Sequence, residues 1–290
     1  QVRKFNEHTW GLSMSAINAN GWPVAAGGSQ AITDALAARL TDLGGRIETG
    51  VAVTAFGQLP AADIVMFDLA PTAIAAILGD RLPARVTRAY RRFRYGPGAF
   101  KVDFAVDGDV PWTNESARRA GTVHLGGDFA ELAGTERDIH RGRMPARPFV
   151  LAFQQYLADP QRSVGSINPV SAYAHVPNGY TGDATEAITA QIERFAPGFR
   201  ERIVGLAVRS TTDMSVYNAN YIGGDINTGA KDIRQLVFGP RTTLSPYGLG
   251  VPGMYICSAA TPPGSRANNG RLAAHFRCLA EPPRVALCAA

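Results

Sequence analysis

The chain has 290 residues, 46% of them hydrophobic and 18% charged, with a formal net charge of +5 and a pI near 9.3. That length suits about two domains of the usual ~100–200 residues, and the hydrophobic share can fill a sizeable core, which excludes a disordered or low-complexity protein. The charge is mild: it permits an anionic ligand such as a dinucleotide, or weak affinity for an anionic membrane, and demands neither.

Residues 1–20 show no clear period and read as a poorly specified lead-in. After the turn-rich run Gly21-Trp22-Pro23-Val24-Ala25-Ala26-Gly27-Gly28, Ser29 is an N-cap candidate, because its hydroxyl can accept from an orphan N–H of a first turn. Ile32, Leu36, Leu40 and Leu43 then fall on one helix face. Gly44-Gly45 stops that helix, and Ile47, Val51 and Val53 predict a short strand. Asp63 to Asp68 reads as a buried strand, apolar without alternation, as parallel strands are. Helices are predicted at 71–79 and 83–93.

Past Gly96-Pro97-Gly98 the texture changes. Phe100 to Val106 alternates strictly, which predicts a strand with one wet face. Further strands are predicted near 121–125, 148–156, 170–176 and 203–209, with helices near 128–140 and 183–195. This middle is antiparallel α+β in character. From about 216 glycine-rich texture returns, ending in an apolar strand, Met254 to Ser258. The economical layout is discontinuous. A nucleotide-type portion at each end (1–95 and 216–290) encloses an inserted substrate domain at 96–215. The fold class is α/β plus α+β: a partial, Rossmann-like dinucleotide-binding domain with an inserted antiparallel-sheet domain.

Few residues offer chemistry. Cys257, Cys278 and Cys288 form no CxxC and no zinc-like spacing, so a metal site is not expected and a reducing, cytoplasmic location is. No run of ~18 apolar residues predicts a transmembrane helix, and the start lacks a signal-peptide pattern. A Gly-x-Ser-x-Gly elbow is absent. His124 and His175 fall on predicted strands, where a hydrogen-bonded structural histidine is the plain reading. Arg88, Arg91, Arg92 and Arg94, interleaved with Tyr90, Phe93 and Tyr95, read as a solvated helix end rather than a nucleic-acid site. Gly248-Leu249-Gly250-Val251-Pro252-Gly253 spells a dinucleotide fingerprint. It precedes a strand instead of following one, and Pro252 removes an amide, so a surface turn is expected.

Three segments carry a resemblance. Gly-Trp-Pro-Val-x-x-Gly-Gly-Ser-x-x-Ile opens at Gly21, Tyr217-Asn218-Ala219-Asn220-Tyr221 leads into Gly223-Gly224-Asp225, and a strand runs into Thr261-Pro262-Pro263-Gly264. Together they are similar to the C-terminal flavin-contacting segments of phytoene-desaturase-like FAD oxidoreductases, within the amine-oxidase flavoprotein group. The resemblance spans most of 21–264 and implies FAD as cofactor, with Val53 against the adenine. Gly224, Asp225, Thr261, Pro262, Pro263 and Gly264 would line the flavin cavity. It also implies hydride transfer from an apolar, isoprenoid- or carotenoid-like substrate. Two departures stand out. No strand and G-x-G-x-x-G open the chain, and Ser265-Arg266-Ala267-Asn268-Asn269 replaces further glycines and a Val-His-Gly run. Glu281-Pro282-Pro283 breaks any long C-terminal helix. The chain therefore reads as the last half of an enzyme, incompetent alone, to be completed by an N-terminal complementing chain or by self-association. A non-catalytic fragment binding a hydrophobic molecule or a partner, and a flavin amine oxidase, stay open as alternatives. Peripheral membrane contact is compatible with the charge; nucleic acid is not expected.

Overall fold

A computed structural model describes residues 25–230, 232–243, 246–261 and 284–289. Helix α1 (Gln30–Asp42) opens it, followed by an irregular stretch. Strand β1 (Ile64–Asp68) buries Ile64, Val65 and Phe67. Helix α2 (Pro71–Leu78) has proline in its first turn, where a missing N–H costs nothing, and buries Ile74, Ile77 and Leu78. Helix α3 (Ala84–Arg91) buries only Val86 and Tyr90. Then come β2 (Gly98–Asp107), α4 (Glu115–Arg118), β3 (Thr122–Leu125) and α5 (Phe129–His140). Asp128 caps α5, accepting from the Glu131 amide at 2.8 Å. Strands β4 (Val150–Phe153) and β5 (Ile167–Val176), helix α6 (Thr185–Phe195) and strand β6 (Ile203–Arg209) complete the middle. Helix α7 (Thr211–Tyr217) starts on a capping box in which Ser210 and Asp213 satisfy each other's amides. Helix α8 (Ile233–Phe238) and strands β7 (Met254–Ile256) and β8 (Val285–Ala289) end the described chain.

Two sheets result. One is parallel, in the order β7-β1-β8, and the other is antiparallel, β3-β4-β5-β2-β6. Since β1 pairs directly with β7, with Phe67 opposite Ile256, the antiparallel sheet is an insertion between neighbouring parallel strands. The fold is thus the expected α/β portion with an inserted antiparallel domain. Each sheet has its own core. Trp112, Phe104, Phe199, Ile188 and Ile192 pack on the antiparallel sheet, while Phe67, Ile74, Leu78, Tyr90, Leu249 and Ile256 pack around the parallel one.

Two expectations need correction, and two features went unread. The strand predicted through Ile47, Val51 and Val53 does not form. Among the described residues no strand lies beside it, and an unpaired strand leaves its amides and carbonyls to water. Ser29 makes no capping bond, because its backbone is already helical, at φ −65° and ψ −20°. The α1 face carrying Ile32, Leu36, Leu40 and Leu43 is exposed rather than packed. After Arg284 the chain forms a strand, β8, in register with all of β1. Arg284 anchors that strand, its guanidinium meeting Asp63 at 3.2 Å, and holds the Asp63 carboxyl below its ordinary range.

Candidate functional site

In open parallel sheets ligands collect beyond the carboxyl ends of the strands. Here those ends are Asp68 of β1 and Cys257 after β7, joined where the Cys257 amide donates to the Phe67 carbonyl at 2.9 Å. Asn220 straps the 218–221 turn to this edge. Its amide oxygen accepts from the Ala70 N–H at 2.7 Å and its Nδ2 donates to the Asp68 carbonyl at 3.0 Å. Beside it the hydroxyls of Thr72 and Tyr95 are 2.6 Å apart. Burial raises the Asp68 carboxyl above its ordinary value. Burial, and secondarily the charge of Asp68, pushes the Cys257 thiol up to about 12. Cys257 is therefore a protonated small hydrophobe, not a nucleophile.

Asp225 is 1% exposed, and its carboxylate is fully engaged. Oδ2 accepts from the amides of Gly96 at 2.7 Å and Gly229 at 2.6 Å, and Oδ1 from Asn227 at 2.9 Å. The clamp closes a tight loop in which Thr228 holds φ 51°, an uncommon conformation for a β-branched residue. The glycines before it face protein. A Cβ at Gly224, whose φ is +82°, would stand 2.7 Å from the Thr211 Cβ. One at Gly223 would overlap the Asn178 side chain, which donates to the carbonyls of Gly96 and Ile222. This segment ties the parallel part to the end of the inserted sheet.

The other predicted positions lie elsewhere. Val53, half-buried, packs against the core around the parallel sheet, to which Ala260 also belongs. Thr261 is buried, its hydroxyl donating to the Ser258 carbonyl at 2.7 Å. Pro262, Pro263 and Gly264 fall outside the described residues. So Val53 and the turn ending at Thr261 share one core, whereas Gly224 and Asp225 are anchored on Gly96 and Thr211. The 248–253 run is a turn before β7, and a Cβ at Gly253 would stand 2.5 Å from the Asp63 carbonyl oxygen.

The described residues do not fit FAD as a complete site. In a dinucleotide-binding fold the pyrophosphate is held by free amides at a helix N-terminus. Here the amides of Gly96, Asn227 and Gly229 are spent on Asp225, and the space beside Gly223 and Gly224 is filled by Asn178 and Thr211.

One surface escaped the motif search. The antiparallel sheet shows an aromatic face opposite its core, where Phe153 and Tyr173 stack with centroids 5.9 Å apart and planes at 18°. Tyr173 and Phe149 each approach His175, and Phe149 meets His124 edge-on at 5.7 Å. These side chains are exposed or half-buried, while Val170, Ala172 and Ala174, which alternate with them in β5, are buried. Glu136 of α5 lies 3.4 Å from His175 Nδ1, and that hydrogen bond lowers its carboxyl below the ordinary value. The period-2 pattern Ser171, Tyr173, His175 was the available clue: the outward residues of a strand with one dry face are aromatic and ionisable.

No protein-family model matches the chain, and neither does any curated protein. Among solved structures, a crystal structure of an oxidoreductase from Methanosarcina mazei is similar at 15% identity and TM-score 0.52, over 81% of this chain and 50% of that one. The chain thus spans about half the length of that structure, and the likeness is one of fold alone.

Proposed function

We propose that the chain is part of an FAD-dependent oxidoreductase, a desaturase or dehydrogenase in which hydride leaves an apolar, isoprenoid- or carotenoid-like substrate for the flavin. The observation that carries the reading is the aromatic face of the inserted sheet. Phe153 stacked on Tyr173, with Phe149 beside them, offers flat apolar surface to a conjugated or allylic substrate, and aromatic faces pair best in offset or edge-on contact. The resemblance of the 217–225 and 261–264 runs and the fold likeness to an oxidoreductase support it. In this reading the chain binds and orients the substrate and keeps it from water, and the cofactor supplies the reactive atom. Because the described residues lack the helix-N-terminal amide cradle of a dinucleotide, we propose that FAD is held only with further polypeptide.

Two titrations of the purified chain test this. With excess FAD, fluorescence quenching and calorimetry in the presence of saturating inorganic pyrophosphate are expected to show no tight stoichiometric binding; tight binding would refute the need for further polypeptide. With a long polyene in mild detergent, saturable quenching of protein fluorescence is expected, weakened roughly tenfold by combined Phe153→Ala and Tyr173→Ala. Equal binding by the variant would remove this face from the substrate site.

A further inference from the structure

Away from the strand ends and the aromatic face lies a cleft of about 650 Å³. Six guanidinium side chains line it: Arg85, Arg88, Arg92 and Arg94 from α3 and its tail, and Arg234 and Arg241 from the segment around α8. Steps of three and four place Arg85, Arg88 and Arg92 on one side of α3, over about 10 Å of helix at 1.5 Å per residue. Among the described residues no Asp or Glu lines the cleft. Arg94 is paired, 2.5 Å from Asp232, and Arg241 donates to the Gly248 carbonyl. Arg85, Arg88, Arg92 and Arg234 make no ion pair among the described residues.

The two walls are locked together. Gln235 of α8 accepts from the Arg94 amide at 3.0 Å and donates to the Arg94 carbonyl at 3.0 Å. Its Nε2 also reaches the Ala230 carbonyl at 2.9 Å. The basic groups are therefore presented by a fixed frame, which lowers the ordering cost of binding. A helix end dressed in arginine for its dipole accounts for Arg88 and Arg92. It does not account for Arg234 and Arg241 facing them from a distant segment. Arg241 is half-buried, and burial, with the like charge of Arg85 as a further contribution, lowers its pKa from the ordinary value. Beneath it Tyr90 is wholly buried, with a hydroxyl that finds no hydrogen-bond partner among the described residues.

We propose that this cleft binds a phosphate-bearing anion, with Arg85, Arg88, Arg92 and Arg234 as its guanidinium forks. Planar guanidinium matches phosphate oxygens two at a time, and the spacing along α3 suits a diphosphate better than a single carboxylate. Confinement to a concave cleft, rather than a track across the surface, argues against a nucleic-acid strand. The proposal does not depend on the flavoenzyme reading.

Calorimetry of the whole chain with inorganic pyrophosphate tests it. One-to-one saturable binding is expected, weakened roughly tenfold or more in R88Q/R92Q, because two charged hydrogen-bonding forks are lost. The charge-matched variant R91Q/R137Q, whose residues lie outside the cleft, should bind as wild type does. If R88Q/R92Q fails to fold, R234Q, on the opposite wall, reports the same loss. Flotation with phosphatidylcholine vesicles containing phosphatidic acid identifies the source. Binding displaced by pyrophosphate supports a lipid headgroup, and pyrophosphate binding without flotation supports a soluble phosphate. No saturable binding in either arm overturns the site. So does equal weakening in R91Q/R137Q, or stronger binding to an oligonucleotide than to pyrophosphate.

Discussion

At the scale of single residues, Asp225 shows how a motif that points to a ligand can be consumed by the fold. Its oxygens take three backbone N–H groups at 2.6–2.9 Å in a site closed to solvent. Asparagine at this position must set an NH₂ group against an N–H, at Gly96 and Gly229 in one orientation or at Asn227 in the other. Asp225→Asn is therefore expected to destabilise the protein by about 3 kcal/mol, the scale of losing charge-assisted bonds in a buried site. Urea unfolding at neutral pH would measure it, and a loss under about 1 kcal/mol would mean the clamp is not closed in solution. The run Gly223 to Gly229 permits two readings, an Asx-type turn and a close approach to flavin. The Asn227-to-Asp225 bond is the turn. That the partner of Gly224 is Thr211 could not be read, because the two meet only when α7 folds back beside the 222–224 turn.

At the scale of elements, local pattern was a good guide to where helices and strands lie and a poor guide to what covers them. The steps through Ile32, Leu36 and Leu40 predicted α1, and it forms, yet Leu36 is 67% exposed and no residue of the helix is buried. A period reports which side chains share a face; burial requires a partner surface, which no local window contains. Leu36→Gln is accordingly expected to change the unfolding free energy of this chain by no more than about 0.5 kcal/mol. A loss of about 2 kcal/mol or more, typical of truncating a core leucine, would place α1 in the core instead. The Val51–Val53 segment makes the same point for strands, whose hydrogen bonds must come from a neighbour.

At the scale of the whole molecule, the parallel sheet is closed by its last described strand. β8 pairs with β1 over five residues, and Cys288 packs against the core around Phe67 and Ile256. Removing residues 284–290 would bare an edge of β1 and part of that core. The expected results are a melting temperature lower by roughly 5–10 °C, a few kcal/mol for a chain of this size, and concentration-dependent light scattering from edge pairing. Unchanged melting and scattering would show that β8 contributes nothing to the sheet in solution. β8 went unread because Pro282 and Pro283 were weighed only as breakers of a helix. A five-residue apolar run after prolines is equally a short strand.

The sequence by itself determined the class of every strand from β1 to β7 and of α2, α3, α5 and α6, and with them the mixed architecture; the short helices α4, α7 and α8 went unread. Periods of two and near four are imprinted residue by residue wherever a face meets a core. It also excluded the 248–253 run as a dinucleotide loop, since the order of turn and strand is a local property. Only the tertiary structure decided which faces find partners. It fills the glycine loop with Thr211 and Asn178, leaves the α1 stripe bare, and sets Arg234 opposite Arg88. Those outcomes depend on segments far apart in the chain, whose meeting follows from the packing of two cores.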